Sequence, residues 1–284
     1  MTNLKLGYIG LGNIGAPMAK KMADWPGGLM VYDVRPEAMA PFADRGATLA
    51  DSLADIATTD IISITVLNDE QVRTVVGELA SHAKPGTIIA IHSTISDTTA
   101  EELAREMQAR DIHVIDAPIS GGGRAARFGQ LATMVGASDE VFARVKEPFS
   151  HWAELVVHAG PPGAGTRMKV ARNMLTFTIY AAVGEAWKLA EAAGLNLQDL
   201  GNVVRHTDKL TGGAGSIMYR DDTKDLEPGH FLYDGFMHTR GLGEKDLRLA
   251  LELAESNHVD LPLARLALER LAPGLGVPHT PKEA

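Results

Sequence analysis

Short apolar runs alternate with amphipathic stretches through the first half of the chain, and long segments of helical period replace them in the second. The runs at 4–9, 29–33, 61–66, 87–91, 113–115, 132–135 and 155–157 read as strands, and 13–24 and 98–110 read as helices. The second of these helices opens with Thr98 and Glu101 at capping-box spacing, which lets each side chain satisfy an amide of the first turn. Strand–helix alternation implies a mainly parallel sheet with helices on both faces. After Gly160-Pro161-Pro162-Gly163 the strand signal stops. Residues 165–193 place Met168, Ala171, Leu175, Thr178, Ala182 and Leu189 at helical spacing without a proline. That is about twice the length of a typical globular helix. Further helices are predicted at 197–205, 242–256 and 261–271.

Length and composition narrow the class. A chain of 284 residues suits two domains. The expected boundary lies at the breaker, giving a dinucleotide-binding domain over 1–160 and an α-helical substrate and oligomerisation domain over 161–284. Apolar residues at 45% and charged residues at 22% are the mix of a folded globular protein. A net charge of −9 disfavours a nucleic-acid partner, which needs clustered Lys and Arg. No apolar run approaches the roughly 20 residues that span a bilayer, so no membrane partner is expected. The start Met-Thr-Asn-Leu-Lys shows no signal-peptide pattern, and a cytoplasmic protein is expected. With no cysteine there is neither a thiolate nucleophile nor a thiolate metal site, so redox chemistry needs an organic cofactor.

Gly10-Leu11-Gly12-Asn13-Ile14-Gly15 follows the first strand and opens the first helix, the context that a dinucleotide fingerprint requires. Gly10 permits the tight turn, Gly12 lets a pyrophosphate approach the backbone, and Gly15 allows close packing of helix on strand. The helix N-terminus adds amide donors and partial positive charge. Asp33 ends the second strand about 20 residues on, where a carboxylate accepts hydrogen bonds from the adenosine ribose. It favours NAD and repels the 2′-phosphate of NADP. Arg35 reads as a solvated charge, yet it lies close enough to soften that preference, so NADP stays open. The fold expected is α/β, an N-terminal Rossmann-type doubly wound sheet followed by an all-α C-terminal domain.

Four separated motifs carry a resemblance over nearly the whole chain: Gly10 to Met18, Asp116-Ala117-Pro118-Ile119-Ser120-Gly121-Gly122, Gly163-x-Gly165-x-x-x-Lys169-x-x-x-Asn173, and Lys245-Asp246-Leu247. In them the chain resembles the β-hydroxyacid dehydrogenases, in the 3-hydroxyisobutyrate dehydrogenase branch, relatives of 6-phosphogluconate dehydrogenase. The resemblance implies an active site between a dinucleotide-binding and a helical domain. It also implies a hydroxyl pair at Ser93-Thr94 near nicotinamide and substrate, although the same pair reads as a simple helix cap. Lys245 is expected to begin a helix and approach the nicotinamide end, with Asp246 a structural partner near that helix start.

The third motif has its own physical reading. Lys169 and Asn173 stand four residues apart, one turn apart on one helix face. Oxidising an alcohol requires removal of the hydroxyl proton, which a lysine performs if desolvation or a cationic neighbour lowers its pKa from about 10.4. Periodicity by itself fits a solvated lysine equally well. Asn173 can hold the reacting oxygen or a neighbouring substrate group. Ser120-Gly121-Gly122 offers a hydroxyl and backbone amides after a strand end, suited to a substrate carboxylate. Leu67, just past the 61–66 strand, reads as cleft lining or as plain core.

The chain departs from the family pattern at Asp97, where relatives have proline, and at Gly123-Arg124-Ala125-Ala126 in the substrate loop. Residues 211–240 read as an insertion rich in glycine, histidine and arginine, either a lid or a surface connection, and His230 and His238 form no recognisable metal site. The function expected is NAD-dependent interconversion of a small β-hydroxy acid and its semialdehyde or keto acid, with Lys169, Asn173 and Ser120 catalytic. The competing readings are an imine reductase of the same fold, whose members generally lack the lysine, and a non-catalytic dinucleotide-sensing module. The long apolar helix also suggests a homodimer or homotetramer.

Overall fold

The computed structural model describes residues 4–279. The chain begins β1 (Leu6–Ile9), α1 (Gly15–Lys21), β2 (Leu29–Tyr32), α2 (Pro36–Ala43), β3 (Thr48–Leu49), α3 (Leu53–Ile56), β4 (Ile61–Ile64) and α4 (Asp69–His82). It continues β5 (Ile88–Ile91), α5 (Asp97–Gln108), β6 (His113–Asp116), β7 (Ile119–Ser120), α6 (Gly122–Phe128), β8 (Leu131–Gly136), α7 (Asp139–Ser150) and β9 (Ala153–Gly160). Among the described residues these strands form one sheet in the order β3-β2-β1-β4-β5-β6-β8-β7, with β9 on β8. Pairing is parallel from β3 through β6, antiparallel where β8 meets β6 and β7, and parallel again from β8 to β9. The chain leaves β1 for β2 on one side and returns to β4 on the other, so a topological switch point opens at the carboxyl ends of β1 and β4.

Helices on both faces explain why β1, β4 and β5 are buried at every position and read as continuous apolar runs. Alternate residues feed two cores. Leu6, Tyr8, Ile88 and Ala90 join Phe149 and Trp152 on one face. Ile9, Ile62, Ile64, Ile89 and Ile91 join Val72 and Leu79 on the other.

Helices α8 (Ala164–Ala192), α9 (Leu197–Thr211), α10 (Tyr233–Ser256) and α11 (Pro262–Leu275) follow, with a short 3-10 turn at Gly213–Ile217. The contacts within the chain divide it into two compact units, Met1–Asn173 and Met174–Ala284, and α8 runs through the division. The fold is thus a Rossmann-type α/β sheet followed by an all-α segment.

Four local expectations are corrected. Helix α1 covers only Gly15–Lys21, because residues 12–14 belong to the glycine loop. Helix α5 has Ser96 at its N-cap position, with no side-chain capping bond and no capping box. Glu101 pairs instead with Arg167, and Asp69 holds the first turn by accepting from the Ser96 amide and the Thr99 hydroxyl. Lys245 does not begin a helix: α10 starts at Tyr233 and absorbs the end of the 211–240 segment. Asp246 is consequently remote from any helix start. Gly243 within this helix is a contact point and not a breaker, since a Cβ on it would lie 2.5 Å from Leu271 of α11.

Candidate functional site

The glycine loop connects β1 to α1 under tight steric limits. A Cβ on Gly10, which has φ +88°, would lie 2.1 Å from the Thr65 carbonyl oxygen, and one on Gly15 would lie 1.9 Å from that of Gly10. A Cβ on Gly12 would meet nothing within 4 Å. Gly10 and Gly15 are therefore fixed by the protein's own backbone, whereas Gly12 fronts open space. No side chain caps α1; its Ala16 amide donates to Gly12 O at 3.0 Å and its Met18 amide to Ile14 O at 3.2 Å, and Pro17 has no amide to offer.

Asp33, just beyond β2, is buried, and its Oδ2 accepts the Leu11 amide at 2.7 Å. Its Oδ1 accepts from the Arg35 amide at 2.9 Å and from Arg35 Nε at 3.2 Å. Burial pushes this carboxyl up, but the Leu11 and Arg35 donors together hold it below the usual carboxylate range. Asp33 thus fastens the loop that carries Leu11 and stays ionised, with lone pairs left for further donors. Arg35 is itself exposed.

A cleft of about 740 Å³ runs along these residues, lined among others by Gly10, Gly12, Asp33, Val34, Arg35 and Leu67. Val34 and Leu67 are 83% and 87% exposed, which removes the core reading of Leu67. Two exposed apolar side chains, an ionised carboxylate and a glycine facing open space fit the adenosine diphosphate half of a nicotinamide dinucleotide. Asn13 and Ile14 complete the loop.

Ser93 Oγ donates to the Val66 carbonyl at 2.6 Å and accepts the Val66 amide at 3.0 Å. Its hydroxyl therefore clamps the segment leading to Leu67, while Thr94 is exposed. Ser120 ends β7. Gly121 has φ +129°, and a Cβ there would lie 2.6 Å from that of Ala125. Gly122 is open, and a Cβ on Gly123 would come within 3.9 Å of Asn13 O and Ile14 Cδ1. Gly123, directly after the Ser120-Gly121-Gly122 turn, thus lies beside the dinucleotide loop.

Helix α8 is anchored at the same end of the sheet. Asp116, the last residue of β6, accepts the Gly163 amide at 2.7 Å and the Thr166 amide at 2.6 Å, capping α8 from another strand. Burial nonetheless raises its pKa. The approach depends on missing side chains: a Cβ on Gly136 would lie 2.1 Å from Asp116 Oδ1, and one on Gly165 would lie 2.2 Å from Met134 O. Lys169 sits one turn beyond the anchor and is 8% exposed. Burial lowers its pKa, and the neighbouring Arg172 cation lowers it further. Asn173 is half-buried, and its Oδ1 accepts from Arg172 at 3.3 Å.

In the second unit Lys245 lies well inside α10, exposed and paired with Asp246 at 3.1 Å. His230 accepts the Leu232 amide. Among the described residues no group of three or more His, Cys, Asp or Glu could hold a metal ion, and no helix is long and apolar enough to cross a membrane.

Two structural residues escaped the sequence reading. Asp116 belongs to a quoted motif, but its partners lie about 50 residues away. His92, fully buried, bonds the Ala117 carbonyl through Nδ1 at 2.8 Å and Ser63 Oγ through Nε2 at 2.9 Å, joining the ends of β4, β5 and β6. Burial brings its pKa down to about 4, so the ring is neutral. An isolated histidine next to Ser93 carries no sequence signal for this.

Residues 5–160 match the family model for the NAD binding domain of 6-phosphogluconate dehydrogenase. Residues 163–275 match that for the NAD-binding of NADP-dependent 3-hydroxyisobutyrate dehydrogenase. An uncharacterized oxidoreductase of Mycobacterium tuberculosis is 64% identical over 98% of this chain and 96% of its own length. The human mitochondrial 3-hydroxyisobutyrate dehydrogenase is 32% identical over 92% of this chain and 79% of its own. The crystal structure of a putative oxidoreductase from Mycobacterium avium superposes with a TM-score of 0.95 at 72% identity, covering 97% of this chain and all of the other. An imine reductase from Myxococcus stipitatus shares the fold alone, with a TM-score of 0.74 at 17% identity over 95% of this chain and 93% of its own.

Proposed function

Since the chain belongs to the β-hydroxyacid dehydrogenase family, a group of dehydrogenases that bind a nicotinamide dinucleotide, we propose that it interconverts a small β-hydroxy acid and its semialdehyde or keto acid. The observation that carries this reading is a buried lysine, Lys169, one turn past a tethered helix start and next to a cation. When bound, the dinucleotide supplies the acceptor for the hydride leaving the carbinol carbon. The protein supplies the rest. Neutral Lys169 takes the hydroxyl proton as the carbonyl forms, and in the reverse direction the ammonium returns it. Asn173 holds the reacting oxygen through its amide. Ser120 and the amides of Gly121 and Gly122 hold the substrate carboxylate, and Thr94 faces the same end of the sheet. Lys245 is assigned to the nicotinamide end by family resemblance.

NAD is the proposed cofactor over NADP, because the ionised Asp33 repels a 2′-phosphate and already engages Arg35. The domains proposed are 1–160 for the dinucleotide and 161–284 for substrate and assembly, in a cytoplasmic homodimer or homotetramer. The experiment is reduced-nicotinamide absorbance with a panel of 3-hydroxy acids, offering NAD and NADP separately, for wild type and Lys169→Ala. The variant is expected to lose roughly 10²- to 10⁴-fold in kcat while still binding NAD. Equal activity in the two proteins would remove Lys169 from the proton transfer.

A further inference from the structure

We propose that Asp116 is a positioning residue for the proton transfer: by gripping the first turn of α8 from the end of β6, it sets where Lys169 stands relative to the turn assigned to the substrate carboxylate. The inference rests on the dehydrogenase reading above and adds a residue that acts through Lys169 without touching the substrate.

Helix α8 has no cap of its own. Gly163, the residue ahead of it, has no side chain, and Pro161 and Pro162 come before that. Asp116 takes over, its Oδ1 accepting the Gly163 amide at 2.7 Å and its Oδ2 the Thr166 amide at 2.6 Å. These are the N-cap and N3 amides, the pair that a capping box divides between two side chains. A carboxylate can serve both because it offers two acceptor oxygens and no donor. One bond would leave the helix free to swing about it, whereas two bonds a turn apart fix its height and its rotation together. Lys169 follows Thr166 by three residues, on the same helix face and about 4.5 Å further along the axis.

The far end of this grip is held as firmly. The Ala117 carbonyl accepts from the Thr133 hydroxyl at 3.0 Å and is bonded by His92 Nδ1 at 2.8 Å, and the Pro118 carbonyl accepts the Met134 amide at 3.1 Å. This held segment runs from Asp116 directly into Ile119–Ser120 of β7. Asp116 therefore ties the helix that carries Lys169 to the strand that leads into Ser120, so the proposed base and the proposed carboxylate site share one rigid reference. A link at the surface exists already, since Arg167 pairs with Asp97 at 3.5 Å and with Glu101, but these side chains are nearly half exposed. Exposed pairs contribute little. Burying a carboxylate is costly, and it is the precision of placement that accounts for it here, because a displacement of about 1 Å at a reacting group costs on the order of 100-fold in rate.

The test is a double-mutant cycle on kcat with a 3-hydroxy acid that the wild type turns over. Asp116→Asn keeps the size of the side chain but sets an NH₂ group against one of the two amides. It should cost roughly 10- to 100-fold in kcat and leave the Kd for NAD within about twofold of wild type. Introduced into Lys169→Ala, it should cost less than about threefold more, because a residue that acts through Lys169 then has nothing left to position. Gly165→Ala, whose Cβ would lie 2.2 Å from Met134 O, shifts the same turn with the carboxylate intact. It should reproduce the loss and the cycle, and it carries the test if Asp116→Asn no longer binds NAD. Arg167→Ala should leave kcat within about twofold. An Asp116→Asn loss of equal size with and without Lys169, an Asp116→Asn protein with wild-type kcat, or an Arg167→Ala loss as large as that of Asp116→Asn would overturn this inference alone. Wild-type activity in Lys169→Ala, or no turnover of any hydroxy acid with NAD binding intact, would overturn the proposed mechanism and this inference with it.

Discussion

The two units of this chain are built on opposite terms. In the first, both faces of the sheet are sealed, and Trp152, Tyr8, Phe149 and a row of isoleucines have almost no contact with water. In the second, the buried cluster consists of Phe236, Leu275 and Val277, and α9 buries no residue at all. Phe177, Tyr180, Trp187, Val203, Leu210 and Tyr219 are exposed there. A fold needs buried apolar area to offset the entropy of ordering its chain. The first unit meets that requirement by itself. The second leaves many large apolar side chains exposed, and the proposed assembly would cover them.

The contrast is broken most directly by truncating one large side chain in each unit. Phe149→Ala should cost about 3–5 kcal/mol in denaturant unfolding, as burial of the ring and the resulting cavity require. Leu210→Ala, at a position 73% exposed, should stay within about 0.5 kcal/mol at low protein concentration. Comparable losses at the two sites would dissolve the distinction.

A pH titration of stability sharpens it. His92 has a folded-state pKa of about 4 against 6.5 for an unperturbed ring, so the unfolded chain takes up the proton first as pH falls. Its contribution is complete above about 6.5 and is lost progressively toward pH 4, a change of about 3 kcal/mol. His92→Gln should flatten that slope in the unfolding of the first unit. An unchanged slope would place the acid sensitivity elsewhere.

The smallest effect on folding, and the most telling for assembly, is expected from Val203→Asp with Val204→Asp on α9. Light scattering should report a shift toward monomer while unfolding of the first unit keeps its midpoint. An unaltered mass would free α9 from any role in association.

What could be read from sequence follows the same division. Gly10, Gly15 and Asp33 were legible because their constraints are local to one strand–turn–helix. The cap that Asp116 places on α8 was not, since its partners are 47 and 50 residues distant. The Thr98 and Glu101 spacing misled because Arg167, 66 residues away, competes for the glutamate. The reading of 242–256 as a helix missed the turns from Tyr233 onward, although α10 is one helix and its Gly243 admits Leu271 of α11. The apolar positions of α8 predicted a helix correctly, but whether this chain or another covers them is not encoded in their period.

The knot formed by Asp116, Gly136 and Gly165 also bears on how this protein can evolve. A Cβ on either glycine would fall 3.0 Å or less from atoms of the other two residues, so neither glycine can be replaced without a shift of its neighbours. Any lineage that altered one would first pass through a protein whose α8 is displaced from the sheet. The descendants of this chain should explore sequence more freely around that triplet while inheriting the two glycines unchanged. The outer face of α8 can then change without rebuilding the helix's foundation.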